Sequence, residues 1–184
     1  MENTYGKFVI IEGLTGSGKS TTARALADRL CADYIDPIDN IFTVPRRAIE
    51  SDADQLAARH ALFLAAILYS SSRIKRMRAS GKSVVVDSWV YRTQATHLAL
   101  GSQLEVSTSN DFEIETCSFF LECPDAIRNS RKVSRGQPDG YWKAACEKKS
   151  QLIIANYKSL SPSTIFIDAS GSTTEIVDKI LEYL

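Results

Sequence analysis

Apolar residues occur along this chain in two rhythms. In the first they form short unbroken runs rich in β-branched and aromatic side chains: Lys7 to Ile11, Ser83 to Val86, Cys117 to Leu121 and Thr164 to Ile167. Runs of that length, apolar on successive positions, predict strands buried on both faces. Tyr34-Ile35 predicts a shorter strand that Asp36-Pro37 closes. In the second rhythm apolar residues recur at helical spacing, as in Lys19 to Cys31, where Ala23, Leu26, Ala27 and Leu30 share a face. The same spacing predicts a long helix over Asp54 to Ser80, stopped at Gly81, and a shorter one from about Thr93 to Leu100. Pro124-Asp125 opens a helix that passes into the basic segment Arg128 to Gly136, and helices are predicted over Tyr141 to Leu160 and Thr174 to Leu184. Doubly buried strands alternating with helices predict an α/β fold, a parallel sheet covered on both faces. No Pro-, Gly- or Ser-rich linker interrupts the pattern, so residues 1–184 are expected to form one domain.

Composition narrows the partners. A chain of 184 residues is long enough for one well-buried core. Its 22 lysines and arginines balance 22 aspartates and glutamates, so no global field draws it to nucleic acid or an anionic membrane surface. The most apolar run, Ala61 to Leu68, is far too short to span a bilayer. Met1 to Lys7 lacks the basic-then-apolar pattern of a secretion signal, and a cytoplasmic protein is expected. Cys31, Cys117, Cys123 and Cys146 form no closely spaced pair, and the only histidines are His60 and His97; neither a zinc site nor a disulfide framework is suggested.

The candidate chemistry begins where the first strand ends. Gly13-Leu-Thr-Gly-Ser-Gly18-Lys19-Ser20 satisfies the phosphate-loop pattern G-x-x-x-x-G-K-[ST] in full. Glycines let successive backbone N–H groups turn inward around an anion, and a helix beginning at Lys19 adds the positive end of its dipole. This makes Gly13, Thr15, Gly16, Ser17, Gly18, Lys19, Ser20 and Thr21 candidate contacts for a nucleoside triphosphate. Lys19 is expected to serve the β- and γ-phosphates, and the Ser20 hydroxyl Mg²⁺.

Two further features point to phosphoryl transfer. Asp87 ends the strand Val84-Val85-Val86, and C-terminal strand ends of a parallel sheet gather on the edge that carries the phosphate loop. Asp87 is therefore a candidate for Mg²⁺ or for the acceptor hydroxyl. Arg128, Arg131, Lys132 and Arg135 share one helical face before the breakers Gly136 to Gly140, the arrangement of a cationic flap able to neutralise charge in a transition state. Neither a guanine-reading N-K-x-D stretch nor a transport-ATPase signature is present.

With these residues in place, the chain resembles the thymidylate kinase family of P-loop nucleoside monophosphate kinases. The stretch FVIIEGLTGSGKSTTARALADRL, including Glu12, is similar to that family's opening. SVVVDSWVYRTQATHLA resembles its strand followed by Asp-Arg-Tyr, FLECPDAIRNSRKVSRG its arginine-bearing lid, and IFIDASGSTTEIVDKILEYL its last strand and helix. The resemblance implies a three-layer P-loop fold with a five-stranded parallel sheet and ATP–Mg²⁺ as donor. It also implies a short mobile lid over about 128–140 and an adenine-bordering loop that includes Ser170. A homodimer pairing through long helices is implied as well, for which Ala61 to Leu68 offers a face. On this reading Lys19, Asp87, Arg128, Arg131 and Arg135 are catalytic.

The departures from the family pattern concern the acceptor. The family holds its acceptor's phosphate with arginines from three motifs, which here read Tyr34-Ile35-Asp36-Pro37-Ile38, Leu64-Ala65-Ala66-Ile67-Leu68 and Asp87-Ser88-Trp89, all without arginine. Arg92, Arg46 and Arg47 are candidate replacements, and Asp36, Phe63, Trp89, Tyr91 and Arg92 are expected to contact the acceptor. Asp36-Pro37 also resembles a Glu-Pro segment of deoxynucleoside kinases, which leaves open an unphosphorylated nucleoside as acceptor in place of thymidylate. A degenerate ATP-binding regulator is a third reading, opposed by the intact Lys19-Ser20 pair.

Overall fold

The computed structural model describes residues 5–38, 40–104, 111–134 and 140–184. Its centre is β1 (Phe8–Gly13), every residue of which is buried. On one side β1 pairs with β3 (Val84–Asp87), and β3 with the short β2 (Asp33–Ile35); on the other side it pairs with β4 (Cys117–Glu122), and β4 with β5 (Ile165–Asp168). All four pairings are parallel, giving the order β2-β3-β1-β4-β5. Parallel pairing brings the C-terminal strand ends to one edge, and the register sets Ile11 opposite Asp87.

Strand alternation divides the core. Val9 and Ile11 face α1 (Lys19–Leu30) and α8 (Thr173–Leu181), meeting Ala23, Leu26, Ile176 and Ile180. Phe8 and Ile10 face the opposite side, where α3 (Leu56–Ala79) supplies Leu64, Ile67 and Ile74. Further along that side α4 (Val90–Leu100) and α7 (Ser150–Leu160) bury Ala95, Ile153 and Tyr157 around Phe120. A capping box between Ser172 and Glu175 starts α8.

The predicted elements are present, with four adjustments. The single helix expected over Tyr141 to Leu160 is two, α6 (Tyr141–Lys148) and α7, broken at Lys149, whose backbone (φ −110°, ψ 15°) leaves the helical region. Both halves carry helical spacing and neither Gly nor Pro marks the joint, so periodicity alone reads straight through it. A helix that the pattern did not predict, α2 (Thr43–Glu50), follows a 3₁₀ turn at Asn40–Phe42. Its Pro45 lies in the first turn, where a missing N–H costs nothing. The helix predicted from Thr93 begins earlier, at Val90. The last helix ends at Leu181, short of the chain's final residues. The basic segment forms α5 (Asp125–Val133), and the expected lid is described only in part, since Arg135 to Asp139 lie outside the described residues. Among the described residues no helix is long and apolar enough to cross a membrane.

Candidate active site

The loop between β1 and α1 is shaped by three glycines with positive φ: Gly13 at 148°, Gly16 at 85° and Gly18 at 98°. Gly16 also passes against α5, where a Cβ would stand 2.7 Å from the Arg128 carbonyl oxygen. Leu14 accepts from the Ser17 N–H at 3.1 Å, closing the turn. The Ser17 hydroxyl is buried with no hydrogen-bond partner among the described residues, a donor to spare inside the loop. Lys19 Nζ donates to the Leu14 carbonyl at 3.1 Å, so the ammonium folds back across the loop's mouth. Glycine-shaped backbone, an inward hydroxyl and a lysine beside a helix start fit a polyphosphate tail.

Next to the loop, Ser20 Oγ donates to Asp87 Oδ2. This joins the start of α1 to the end of β3, two hard oxygen donors of the kind Mg²⁺ takes beside phosphates and water. The following turn is strained: Ser88 has φ 78°, rare for a side-chain-bearing residue. Glu12 holds it from below. Its Oε2 accepts from Ser88 Oγ at 2.9 Å and its Oε1 from the Trp89 N–H at 2.8 Å. Burial pushes the Glu12 carboxyl up to about 8, against the opposing pull of Arg92 and these two donors.

Facing the loop is a cavity of about 390 Å³ whose wall includes Gly13, Thr15, Lys19, Asp87 and Ser88. Its wall also carries three arginines: Arg46 from α2, Arg59 from α3 and Arg92 from α4, with Lys143 from α6. Arg92 Nε donates to the Gly13 carbonyl at 3.2 Å, which ties α4 to the loop. Glu50 accepts from Arg46 Nε at 3.0 Å and from Arg59 Nε at 3.2 Å. Phe63 and Trp142 supply aromatic walls, and the Arg59 guanidinium lies 4.5 Å from the Phe63 ring centre. A cavity lined by both phosphate-binding backbone and three guanidiniums is suited to anionic groups.

On the opposite side of the loop, α5 sets its arginines differently. Arg128 is 1% exposed; its guanidinium donates to Glu147 at 2.6 Å, to Asp125 at 2.8 Å and to the Thr15 carbonyl at 2.9 Å. It fastens α5 to the loop and does not line the cavity. Arg131 donates to the carbonyls of Ser17 (3.2 Å), Ala169 (3.3 Å) and Gly171 (3.1 Å), bridging the phosphate loop to the segment that carries Ser170.

The structure therefore gathers Gly13, Thr15, Lys19, Phe63, Asp87 and Arg92 around one cavity, while Gly16, Ser17, Gly18 and Ser20 complete the loop and helix start beside it. Thr21 is exposed on α1 and does not line it. Three expected acceptor contacts fall elsewhere. Trp89 is buried edge-on against Phe8, ring centres 5.2 Å apart, because the Glu12 hydrogen bond turns its side chain into the core. Tyr91 lines a separate hollow with Cys117 and Leu160. Asp36 accepts from the N–H of Ile38 at 2.9 Å, a local turn that keeps it out of the cavity wall. Arg47 is exposed and outside the wall, and Arg135 lies outside the described residues. Arg59 is the functional candidate the sequence reading missed. A signal existed: it precedes Phe63 by four residues, one turn along the same helix face.

This strand–loop–helix nest, with an acidic strand end and a cationic cavity facing it, defines a P-loop phosphotransferase. The thymidylate kinase family profile matches residues 11–180, and the chain belongs to that family. A probable thymidylate kinase of Methanosarcina mazei is 33% identical over 212 residues, covering 97% of each chain. The thymidylate kinase of Leptospira borgpetersenii is 28% identical over 196 residues, covering 95% of this chain and 91% of that one. Among solved structures, the thymidylate kinase from Candida albicans superposes with TM-score 0.76 at 20% identity, covering 97% of this chain and 91% of that one. The deoxyadenosine kinase from M. mycoides superposes with TM-score 0.71 at 13% identity, covering 96% and 97%. These two share the fold. The protein is an ATP-using phosphotransferase of the nucleotide kinase class.

Proposed function

We propose that the protein transfers the γ-phosphoryl group of ATP to a nucleoside monophosphate of the thymidylate type. The observation that carries this reading is that Arg46, Arg59 and Arg92 line the same cavity as the phosphate loop. It supplies from new positions the guanidiniums that the three family motifs lack here, and a dianionic acceptor phosphate needs such charge-assisted partners.

On this reading the amides of Gly13 to Ser20 and Lys19 hold the donor's phosphates. Ser20 and Asp87 would hold Mg²⁺, which when bound neutralises charge on the transferring phosphates. The arginines fix the acceptor so that its phosphate oxygen lies in line with the γ-phosphorus, and positioning of this kind is the main part of such catalysis. Phe63 offers a ring for the acceptor's base, Arg131 braces the loop, and Ser170, next to the Gly171 that Arg131 holds, would border the adenine. Residues 1–184 act as one kinase domain with a lid over about 128–140. The exposed Leu68 and Tyr69 of α3 support pairing as a homodimer, which sedimentation equilibrium would read.

The test is ADP release over a panel of nucleoside monophosphates and free nucleosides at fixed ATP and Mg²⁺. Thymidylate is expected to give the highest kcat/KM, with free thymidine at least about 100-fold lower, the loss of one charge-assisted contact set. Turnover of nucleosides but of no monophosphate would replace this reading with that of a nucleoside kinase.

A further inference from the structure

Arg59 is held at all three of its guanidinium nitrogens' positions by fixed partners. Glu50 Oε1 lies 3.2 Å from both Nε and Nη2, and His97 Nε2 lies 2.8 Å from Nη1. The guanidinium plane also meets the rings of Phe63 and Trp142, at 4.5 and 5.1 Å to their centres. The group is buried, yet it lines the cavity. These contacts use three of its five N–H donors, leaving one on each Nη, the pair with which a guanidinium bridges two oxygens of one anion.

The histidine's protonation follows from its partners. His97 Nδ1 lies 2.8 Å from the Thr93 carbonyl, which only accepts, so Nδ1 carries the proton. Arginine only donates, so Nε2 offers its lone pair. The ring is neutral and single in tautomer. His60 stacks on it with ring centres 4.3 Å apart and planes 1° from parallel, and His60 Nδ1 is itself tied to Ser102 Oγ at 3.0 Å. A neutral acceptor suits this position for a reason of charge. A second carboxylate on Arg59 would cancel what Glu50, already shared with Arg46, leaves for an incoming phosphate.

We propose that Arg59 donates to the phosphate of the acceptor, and that His97, as the neutral Nδ1–H tautomer, is the positioning residue that aims it. This rests on the reading of the cavity as the acceptor site.

Steady-state kinetics of His97→Leu, His97→Gln and Arg59→Ala with thymidylate as acceptor test it. Arg59→Ala and His97→Leu are each expected to raise the acceptor KM about 10- to 100-fold, the usual consequence of losing or misaiming a positioned donor, with the KM for ATP unchanged. His97→Gln, whose amide oxygen restores an acceptor, is expected to recover most of that loss. Equal damage from Gln and Leu, or a parallel rise in the KM for ATP, would overturn the positioning role. Long-range proton–nitrogen NMR of the wild-type protein reads the tautomer without any turnover. A protonated Nδ1 and a lone-pair Nε2 whose shift moves in Arg59→Lys are expected, and an Nε2–H tautomer would overturn the proposal. Should the wild type turn over no monophosphate while the tautomer stands, the acceptor reading fails and the Arg59–His97 geometry survives it.

Discussion

Ser20 Oγ donates its hydrogen bond to Asp87 Oδ2, linking two residues 67 positions apart in the chain. One stands in the first turn of α1 and the other at the end of β3, so the contact exists only because β1 and β3 pair in parallel. Residues that act as a unit lose function together. Ser20→Ala and Asp87→Asn are each expected to lower kcat and to shift its Mg²⁺ dependence to higher concentration, and the double variant is expected to cost little more than the worse single one. A Mg²⁺ titration of initial rates for all four proteins measures this, and fully multiplicative losses would show that the pair does not act together.

Lys19 lies across the mouth of the glycine loop. Lys19→Ala is expected to lower kcat by about 10²- to 10³-fold, the scale of removing one preorganised charge donor. Circular dichroism and Tm are expected to stay close to the wild type, since the Leu14 carbonyl that Lys19 meets lies in a loop and the glycines that shape that loop are untouched. Full turnover by the variant would reject the assigned site.

Gly16 combines φ 85° with backbone of Arg128 where a Cβ would go. Gly16→Ala must therefore distort the loop or push α5 away. An equilibrium urea titration is expected to show a loss of about 1–3 kcal/mol, the usual cost of a left-handed side-chain residue, along with weaker ATP binding.

Trp89 separates a core role from base stacking. Its ring packs on Phe8 inside the core, and its indole N–H donates to the Glu113 carbonyl at 3.3 Å. Trp89→Ala is expected to destabilise by about 3–5 kcal/mol in denaturant unfolding. Trp89→Phe is expected to keep the acceptor KM within about twofold while still lowering Tm, because the smaller ring keeps packing and loses the hydrogen bond. A raised KM with unchanged Tm would restore the stacking role.

The buried histidines give the stability a pH slope. Burial first, then the charge of Arg59, holds His97 down at about 3 and His60 at about 4, against 6.5 for a free histidine. Between those values the unfolded chain binds protons that the folded one does not, so stability contributed by the neutral rings is whole above about 6.5 and falls as pH drops toward 4. Glu12, pushed up to about 8, works the other way as pH rises from 4.5. Between pH 5 and pH 7 two rings oppose one carboxyl and together outweigh it, so scanning calorimetry at the two pH values is expected to show a lower Tm at pH 5 for the wild type. His97→Gln is expected to show a smaller drop, and equal drops in both proteins would remove His97 from the account.

Much of this protein is written locally. The runs Val9-Ile10-Ile11 and Val84-Val85-Val86 are strands because short β-branched segments with no polar face have few other ways to be buried. The glycine spacing from Gly13 to Gly18 announces a phosphate loop because backbone turned inward leaves no room for side chains. Phe63 and Arg92 were legible as cavity residues from their neighbours. The break at Lys149 was not, since no Gly or Pro marks it, nor was the helix over Thr43 to Glu50, whose Pro45 suits a first turn but whose eight residues are too few for a clear period.

Sequence alone thus determined the fold class, from the alternation of strands and helices along the chain, and the anion-binding loop and the acidic strand end, because each of these two is encoded within a dozen consecutive residues. Tertiary structure decided which arginines meet in the cavity beside the phosphate loop and which aromatic ring is core. Arg46, Arg59 and Arg92 come from three helices. Their convergence follows from how those helices lie on the sheet, a property of distances through space that no spacing along the chain expresses. Trp89 turned inward for the same reason: a carboxylate 77 residues earlier in the chain holds its backbone.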